Sequence, residues 1–316
     1  MAAKVFIDGA AGTTGLEIRE RLAARDDLEL VQLSEAERKN QVARKAALNA
    51  AAVVILCLPD EAAREAVAMI DNPATRVIDA SSAHRVAPGW AFGFPELEPD
   101  GYERIAASSR VTNPGCYSTG FLAAVRPLVR AGLTPPDYPY TVNAVSGYSG
   151  GGKSMIAEFE RADAPEYTEA VVRTYALTLT HKHVPEMTEH AGLKYPPVFS
   201  PSVGRYYRGM IVDVPLQLWA MATRPAIGDL HTALTSAYEG RPFVKVASRE
   251  ECANIKTLDA ELLKNTDRLK LYVFGNEKTG QARVVAVLDN LGKGASGAAV
   301  QNLNVMLGLP ETTGLQ

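Results

Sequence analysis

The chain has 316 residues, a formal net charge of -3 at pH 7 and three cysteines. This length predicts two domains with a well-formed core, and the near-neutral charge argues against nucleic acid as the main partner. The apolar runs are shorter than a membrane span, and no signal-peptide pattern precedes the first strand candidate, so we expect no membrane association. No two cysteines have C-x-x-C spacing, so we expect a reducing, cytoplasmic compartment and no disulfide framework.

A glycine-rich turn lies near the start of the chain, between an apolar strand candidate at residues 4–8 and a helix candidate at residues 16–22. Its G-x-x-G-x-x-G spacing allows a tight turn, close approach of the backbone to a pyrophosphate, and a helix N-terminus directed at the anion. Such turns often merely connect a strand to a helix, but the flanking elements favour a dinucleotide site. We expect the cofactor to contact Gly9, Gly12, Thr13, Thr14 and Gly15.

The end of the second strand candidate indicates which dinucleotide is bound. NAD enzymes commonly have an acidic residue there, which holds the ribose 2′-hydroxyl. In this chain Ser34 stands at that point, and Arg38 and Lys39 follow soon after. A serine with two cations suits a 2′-phosphate, so the sequence favours NADP over NAD. Glu35 and Glu37 count against this interpretation, and the alternative is that the two cations form a solvated helix face.

The first and second halves of the chain differ in their strand pattern. Before Cys116, short apolar strands alternate with helices, which predicts a parallel sheet with crossover helices. Cys57 falls in one of these strands and should be chemically inert. After Cys116, longer strand candidates alternate apolar and polar residues, as a mixed or antiparallel sheet with one covered face does. These later strand candidates are residues 140–145, 175–181, 209–218, 269–274 and 283–288.

This pattern predicts an α/β protein of two domains. Residues 1–115 together with 295–316 should form a Rossmann-like, NADP-binding domain with a parallel sheet. Residues 116–294 should form an α+β domain with a mixed sheet, which carries catalysis and oligomerisation. The last helix candidate, at residues 295–309, is rich in small residues and should pack onto the first domain.

Cys116 stands where cysteines act as nucleophiles. The sequence Asn113-Pro114-Gly115 breaks the preceding strand pattern, and an apolar helical pattern follows. Cys116 therefore lies at or near a helix N-terminus, where N–H groups and the helix dipole favour thiolate over thiol. A lone cysteine usually fills space only, and we interpret Cys252 in that way. The approach to Cys116 and the upstream dinucleotide turn favour a nucleophile instead.

His181, His183 and Glu186 form a second candidate site. On a strand, the two histidines at i and i+2 would face the same side. An imidazole takes or gives a proton near neutral pH, and Glu186 would orient one ring. We prefer His181 as the acid/base group because it continues a strand candidate, with His183 binding substrate. Two alternatives are a metal site of two histidines and a carboxylate, and plain surface histidines beside Lys182.

A glycine-rich loop at residues 147–154 matches the G-x-x-x-x-G-K-[ST] pattern of nucleoside-triphosphate-binding loops. It lies in the second half of a chain that already has a dinucleotide turn, and the surrounding strands lack βαβ repetition, which argues against an ATPase. Successive N–H groups in such a turn still make an anion-binding nest. We therefore expect this loop to suit a phosphorylated or oxyanionic substrate, and the resemblance described below implies substrate contacts for Ser146, Ser149 and Lys153.

A thiol, a histidine and a dinucleotide turn together predict hydride transfer through a thioester. A free carboxylate is too electron-rich to accept hydride, so the acyl group must first be activated. Attack of the Cys116 thiolate on an acyl phosphate expels phosphate and leaves a thioester that a nicotinamide cofactor can reduce. The phosphate needs a cation, and Arg85, just after a predicted parallel strand, can supply it.

The chain resembles the shorter type of N-acetyl-γ-glutamyl-phosphate reductase, within the semialdehyde dehydrogenase superfamily. The resemblance extends from Gly9 to about Met306. It rests on four separated motifs in the expected order, at residues 79–85, 113–117, 181–187 and 289–295. The resemblance implies reduction of N-acetyl-glutamyl 5-phosphate with NADPH in arginine biosynthesis, by a homodimer or homotetramer.

The resemblance also implies roles for individual residues. Cys116 would be the nucleophile, and the His-Lys-His segment would supply the acid/base group. Arg85, Asn113 and the loop around Ser146 and Ser149 would hold phosphate and the acyl chain. Asn290 would lie near the nicotinamide. Many relatives have arginine in place of Lys182 and Lys153, and these two lysines would meet an anion in a different geometry.

Three other functions remain open at this point. An aspartate-semialdehyde dehydrogenase shares the glycine turn and the thiol but lacks the His-x-His-x-Pro-Glu segment. A reductase for the one-carbon-longer N-acetyl-aminoadipyl phosphate would differ only in pocket length. From another class, a redox-sensing NADP-binding protein would bind the cofactor without turnover.

Overall fold

The computed structural model describes residues 2–38 and 40–316, so the prediction for Lys39 lies outside the described residues. The chain divides into two compact units. Unit 1 comprises Met1–Pro95, Asp100–Pro114 and Ala295–Gln316, and unit 2 comprises Glu96–Pro99 and Gly115–Gly294. The predicted fold class is confirmed, because one unit contains a parallel sheet and the other a mixed sheet. No helix among the described residues is long and apolar enough to cross a membrane.

Unit 1 is built on a six-stranded sheet of order β2-β1-β3-β4-β6-β5, in which every neighbouring pair is parallel. Its strands are β1 (Ala3–Asp8), β2 (Leu28–Val31), β3 (Val53–Leu56), β4 (Arg76–Asp79), β5 (Ala91–Phe92) and β6 (Arg110–Thr112). Its helices are α1 (Thr13–Leu22), α2 (Glu35–Arg38), α3 (Gln41–Ala50), α4 (Asp60–Ala68), α5 (Gly101–Ala107) and, at the end of the chain, α11 (Gly297–Leu307).

The strand order of unit 1 reverses between β1 and β3. Ligands of open parallel sheets bind in the crevice at the carboxyl ends of the strands, where the order reverses. The glycine-rich turn directly follows β1 and therefore lies at this point. The core that holds the turn in place is apolar on both faces of the sheet, since all four residues of β3 are fully buried. Helix α11 adds Ala299, Val300 and Leu303 to this core.

Unit 2 is built on a seven-stranded sheet of order β11-β12-β13-β10-β7-β9-β8. Its strands are β7 (Thr141–Gly147), β8 (Val172–Thr174), β9 (Val198–Gly204), β10 (Met210–Gln217), β11 (Val244–Val246), β12 (Leu269–Asn276) and β13 (Gln281–Leu288). Two pairs, β7 with β9 and β11 with β12, are parallel, and the others are antiparallel. Its helices are α6 (Cys116–Arg130), α7 (Gly152–Glu160), α8 (Val184–Ala191), α9 (Ile227–Ala237) and α10 (Arg249–Asn254).

Helix α6 lies directly against this sheet because Gly120 permits a close approach. A Cβ at Gly120 would lie 2.7 Å from Cγ2 of Val212 in β10. Most of the helix is buried, which explains its nearly continuous apolar sequence. The position of Cys116, the first residue of α6, is therefore determined by helix–sheet packing.

The strand predicted over residues 175–181 is wrong. Strand β8 ends at Thr174, and residues 175–183 form turns that lead into α8. Ala176 (φ 54°) and Leu179 (φ 60°) adopt left-handed backbone conformations, which an extended strand excludes. The Tyr175 N–H still donates to the carbonyl oxygen of Pro201 in β9 at 3.1 Å, and the chain leaves the sheet at Ala176. His181 and His183 are thus not on one face of a strand.

Candidate active site

Cys116 is the first helical residue of α6, as its sequence context predicts. The preceding residue, Gly115, is the N-cap and offers no side-chain hydrogen bond to the first turn. Its own N–H donates to Oε2 of Glu186 at 3.1 Å. The thiol-bearing residue is partly exposed. A helix start without a capping side chain favours an anion at this place, and a thiolate is one such anion.

The two histidines lie beside the start of α6. The ring of Tyr117, the residue after Cys116, has its centroid 6.0 Å from that of His181 and 5.8 Å from that of His183. The backbone N–H of His183 donates to Nδ1 of His181 at 3.1 Å. His183 is 5% exposed, whereas His181 is partly exposed. The structure thus brings these imidazoles to the thiol-bearing helix end, through turns rather than through a strand.

Glu186 links this histidine pair to the nucleophile. Its side chain is fully buried, and its Oε1 lies 3.9 Å from Nε2 of His183. Its other oxygen accepts the N–H of Gly115. One carboxylate thus bonds the residue before Cys116 and lies near an imidazole, and its orienting role stays a prediction.

The serines of the glycine-rich loop are buried and hydrogen-bonded. Ser146 and Ser149 are each 1% exposed. Oγ of Ser149 accepts from Nδ2 of Asn290 at 2.9 Å, and Oδ1 of Asn290 accepts from the N–H of Gly209 at 2.8 Å. Lys153 is exposed on α7. The loop is a single 3₁₀ turn between β7 and α7 in a mixed sheet, which does not favour the ATPase interpretation.

The side chains of Arg85 and Asn113 form hydrogen bonds to backbone carbonyl groups of unit 1. Arg85 is 7% exposed, and its guanidinium donates to the carbonyl oxygens of Asn113 at 3.1 Å and of Ala80 at 3.3 Å. The Asn113 amide donates to the carbonyl of Ala295 at 2.9 Å and accepts from Asn302 at 3.1 Å. These bonds fix the chain three residues before Cys116.

The three glycines of the dinucleotide turn have different roles. Gly9 has φ 89°, and a Cβ there would lie 2.2 Å from the carbonyl oxygen of Cys57. A Cβ at Gly15 would lie 2.5 Å from the carbonyl oxygen of Gly9. At Gly12 the nearest atom would be 3.5 Å away, which is ordinary contact. Gly9 and Gly15 are thus needed to form the turn, whereas Gly12 leaves open space beside it.

This turn fits the pyrophosphate of a dinucleotide. The Thr13 hydroxyl, at the first residue of α1, is buried and has no hydrogen-bond partner among the described residues. Gly12, the N-cap of α1, supplies no side-chain hydrogen bond to the helix start. A buried hydroxyl without a partner is costly, and a phosphate oxygen would satisfy it.

A groove continues from this turn toward the end of β2. It is lined by Gly9, Leu33 and Arg38, and also by Arg19 of α1. Nε of Arg38 donates to the carbonyl oxygen of Leu33 at 3.2 Å. Arg19 is not among the predicted cofactor-binding residues, although it lies four residues after Gly15 and so on the same face of α1.

Ser34, next to Leu33, is bonded to an acidic side chain. Its hydroxyl and its N–H both donate to Oε2 of Glu37, at 2.6 and 2.8 Å. These bonds lower the pKa of the Glu37 carboxyl. A 2′-phosphate at this point would have to replace Glu37 as the partner of Ser34.

The other two thiols are poor nucleophiles. Burial raises the pKa of Cys57 to about 12, and the nearby carboxylates of Asp79 and Asp8 add to the effect. Burial also raises the pKa of Cys252 in α10. Within the described residues, no group of three or more histidine, cysteine and acidic side chains is arranged to hold a metal ion. Cys116, partly exposed at the start of α6, is therefore the better candidate for a nucleophilic thiol.

Comparison with protein families is consistent with this arrangement. Residues 4–105 match the model of the semialdehyde dehydrogenase NAD-binding domain. Residues 116–290 match the model of the semialdehyde dehydrogenase dimerisation domain. The fold and site are those of an NAD(P)-binding oxidoreductase of the semialdehyde dehydrogenase class, and the dimerisation domain implies a homo-oligomer.

Curated relatives narrow this class. The chain is 55% identical over 309 residues to N-acetyl-gamma-glutamyl-phosphate reductase of Brucella anthropi, covering 98% of this chain and 99% of that protein. It is also 55% identical to the Brucella ovis protein of the same name, covering 98% and 100% of the two chains. The chain belongs to the N-acetyl-gamma-glutamyl-phosphate reductase family.

Solved structures with the same fold are more distant in sequence. Aspartate-semialdehyde dehydrogenase from Francisella tularensis has a TM-score of 0.71 at 14% identity, covering 97% of this chain and 100% of that one. The Candida albicans enzyme, solved with NADP, has a TM-score of 0.63 at 13% identity, covering 97% and 99%. At these identities the likeness shows a shared fold alone.

Proposed function

We propose that the protein reduces N-acetyl-L-glutamyl 5-phosphate to N-acetyl-L-glutamate 5-semialdehyde and phosphate with NADPH, in arginine biosynthesis. The observation that carries this proposal is Cys116 at an uncapped helix start, beside His181 and His183 and fastened through Gly115 to Glu186. The 55% identity to curated reductases over nearly the whole chain supports the choice of substrate.

In this proposal the Cys116 thiolate attacks the acyl carbon of the substrate. A C–S bond forms, the bond from the acyl carbon to the phosphate oxygen breaks, and phosphate leaves with the electron pair. NADPH, when bound, supplies the hydride that takes the thioester to the aldehyde level. The start of α6 stabilises the thiolate before attack and again when the aldehyde is released.

We assign the acid/base role to His181. Its Nδ1 accepts the His183 N–H, so in the neutral ring the proton is on Nε2. That nitrogen donates to the acyl oxygen as negative charge develops there. His183, which is buried beside Glu186, then orients the bound substrate, and Glu186 fixes its ring.

Anion-binding roles are assigned to residues of each unit. In unit 1, Arg85 and Asn113 are assigned to substrate binding. In unit 2, Ser146, Ser149 and Lys153 are assigned to the phosphate and the acyl chain. Ser149 accepts from Asn290, so its hydroxyl proton is free to be donated to an anion.

The cofactor would be held by the glycine-rich turn and its groove. Gly9, Gly12, Thr13, Thr14 and Gly15 would surround the pyrophosphate. Ser34, Arg38 and Lys39 would select NADP over NAD. Both ends of the Asn290 amide are engaged by Ser149 and Gly209, so we assign Asn290 to orienting Ser149 rather than to contact with the nicotinamide.

The assembly is proposed to be a homodimer or homotetramer in the cytoplasm. A thiol nucleophile needs a reducing compartment, and biosynthetic reduction by NADPH takes place in one.

The proposal is tested by NADP reduction in the reverse direction. With phosphate present, N-acetyl-glutamate semialdehyde should support NADP reduction, whereas aspartate semialdehyde and N-acetyl-aminoadipate semialdehyde should support far less. Removal of phosphate should stop the reaction. Preference for aspartate semialdehyde or for the longer acyl chain would overturn the substrate assignment. Cofactor binding with no turnover of any aldehyde would indicate a non-catalytic sensor.

A further inference from the structure

The chain after β13 makes a tightly fixed turn over residues 289–294, which we call the 289–294 turn. Asp289, at its start, is fully buried. Its Oδ1 accepts the N–H groups of Leu291 at 2.8 Å and Gly292 at 3.1 Å. Its Oδ2 lies 2.8 Å from Nε of Arg208 and accepts the N–H of Asn265 at 2.5 Å. One carboxylate thus sets the backbone path of the turn.

The other end of this turn contacts the nucleophile. A Cβ placed on Gly294 would lie 2.8 Å from Cβ of Cys116 and 3.3 Å from its Cα. Only a glycine allows the backbone to come this close. The backbone at Gly294 therefore forms a wall against Cys116, and any shift of the turn changes the space in which the thiol lies.

Lys293, next to Gly294, is held by a buried ion pair within unit 2. Its Nζ donates to both carboxylate oxygens of Glu96 at 2.8 Å each. Lys293 is 1% exposed and Glu96 is 2% exposed. Such pairs add little stability compared with apolar residues of similar volume, because two charges lose their hydration. The pair instead fixes geometry, since both ends are rigidly enclosed.

We propose that Lys293 is a positioning residue for Cys116. Its pair with Glu96 anchors the 289–294 turn so that Gly294 abuts the nucleophile and sets the direction of the thiol. This inference rests on the proposed role of Cys116 as the nucleophile. A displacement of about 1 Å at a reacting group lowers a rate by roughly 100-fold, so a rigid wall at this place matters for turnover.

The first test separates positioning from stability. Lys293→Met and Glu96→Leu each leave one buried charge without its partner and should destabilise the fold. The double variant is uncharged at this place and should recover the thermal midpoint of unfolding. We expect its kcat to remain about 10- to 100-fold below the wild-type value. The pH midpoint for alkylation of Cys116 by iodoacetamide should also rise, since the thiol moves relative to the start of α6. Recovery of kcat and of the midpoint together with stability would overturn the proposal.

The second test needs no change of buried charge. Gly294→Ala places a methyl group against Cys116, whereas Gly228→Ala, in α9, meets nothing nearer than Nη1 of Arg249 at 3.6 Å. We expect Gly294→Ala to slow both turnover and the alkylation of Cys116, with Gly228→Ala as the matched control. Wild-type alkylation in Gly294→Ala would contradict the proposal. Activity of Cys116→Ser would instead refute the nucleophile assignment, so the two failures are distinguishable.

Discussion

At the scale of single residues, the two imidazoles beside Cys116 have different surroundings and should give different phenotypes. His181→Asn should lower kcat by about 100-fold or more and flatten its pH profile, as loss of a general acid does. His183→Asn, which removes a buried ring beside Glu186, should mainly raise the Michaelis constant for the acyl phosphate. Steady-state kinetics between about pH 5 and about pH 8 distinguish the two, in the range where imidazoles titrate. If His183→Asn lowers kcat and His181→Asn raises the Michaelis constant, His183 is the acid/base group. If both variants are fully active, the acid/base group lies elsewhere.

Arg38 lines the groove beside Leu33 and should select the cofactor. Arg38→Ala should weaken NADPH by roughly 1–3 kcal/mol, as loss of a hydrogen bond to a charged group does, while NADH binding changes little. Fluorescence titration of both cofactors measures this. Arg64→Ala is the matched control, because Arg64 is half-exposed on α4 and pairs only weakly with Glu61. Equal losses for both cofactors would mean that Arg38 belongs to a solvated face.

At the scale of elements, two glycines of the dinucleotide turn should have different effects. Substitution of Gly15 should affect the folding of unit 1, and substitution of Gly12 should affect cofactor binding. Gly15→Ala forces a Cβ to within 2.5 Å of the Gly9 carbonyl oxygen, so we expect strong destabilisation of unit 1. Gly12→Ala has only ordinary contacts within the protein, so we expect a normally folded chain with weakened NADPH binding. Circular dichroism melting and cofactor titration measure the two effects. A Gly12→Ala variant that binds NADPH normally would show that the pyrophosphate does not lie against this glycine.

Elements with a strong local sequence pattern could be predicted from the sequence. The buried strand β3 reads as a continuous apolar run, and the helix start at Cys116 follows from the Asn-Pro-Gly break. The segment over residues 175–181 could not be predicted, although its sequence alternates. Its path depends on the left-handed backbone at Ala176 and Leu179, which tertiary packing imposes and local propensity does not encode.

Contacts between remote parts of the chain were also beyond prediction. Gly294 lies against Cys116, and Lys293 pairs with Glu96, but each pair is far apart in the sequence. The motif around residue 289 could be noticed, yet its function as a wall requires coordinates. Glu186 was predicted to orient a histidine ring. The sequence did not predict that Glu186 also accepts the N–H of Gly115.

At the scale of the whole molecule, buried tyrosine and cysteine side chains that keep their protons predict that the free energy of unfolding falls at high pH. Burial raises the pKa of Tyr175 and of Cys57 to about 12. Below the ordinary pKa values of tyrosine and cysteine, both the folded and the unfolded chain hold these protons, so the stabilisation is complete. As the pH rises toward 12, the unfolded chain releases protons first. The free energy of unfolding then falls by about 2 kcal/mol for Tyr175 and about 4 kcal/mol for Cys57.

Urea unfolding at a series of pH values from 8 to about 11.5 measures this decline across the window in which the unfolded groups ionise. Tyr175→Phe should flatten the dependence, because it removes one titrating group. An unfolding free energy that is constant over this range would contradict the predicted burial.

The central claim is that Cys116 forms a thioester before any hydride moves. The most direct measurement mixes the protein with N-acetyl-glutamyl 5-phosphate in the absence of NADPH, and follows phosphate release and intact mass. We expect a burst of up to one phosphate per chain and an N-acetyl-glutamyl adduct that maps to Cys116. Cys116→Ser should show neither, and should lose turnover while it still binds NADPH. Turnover by Cys116→Ser, or a wild-type protein that releases phosphate only when NADPH is present and never carries the adduct, would contradict the account.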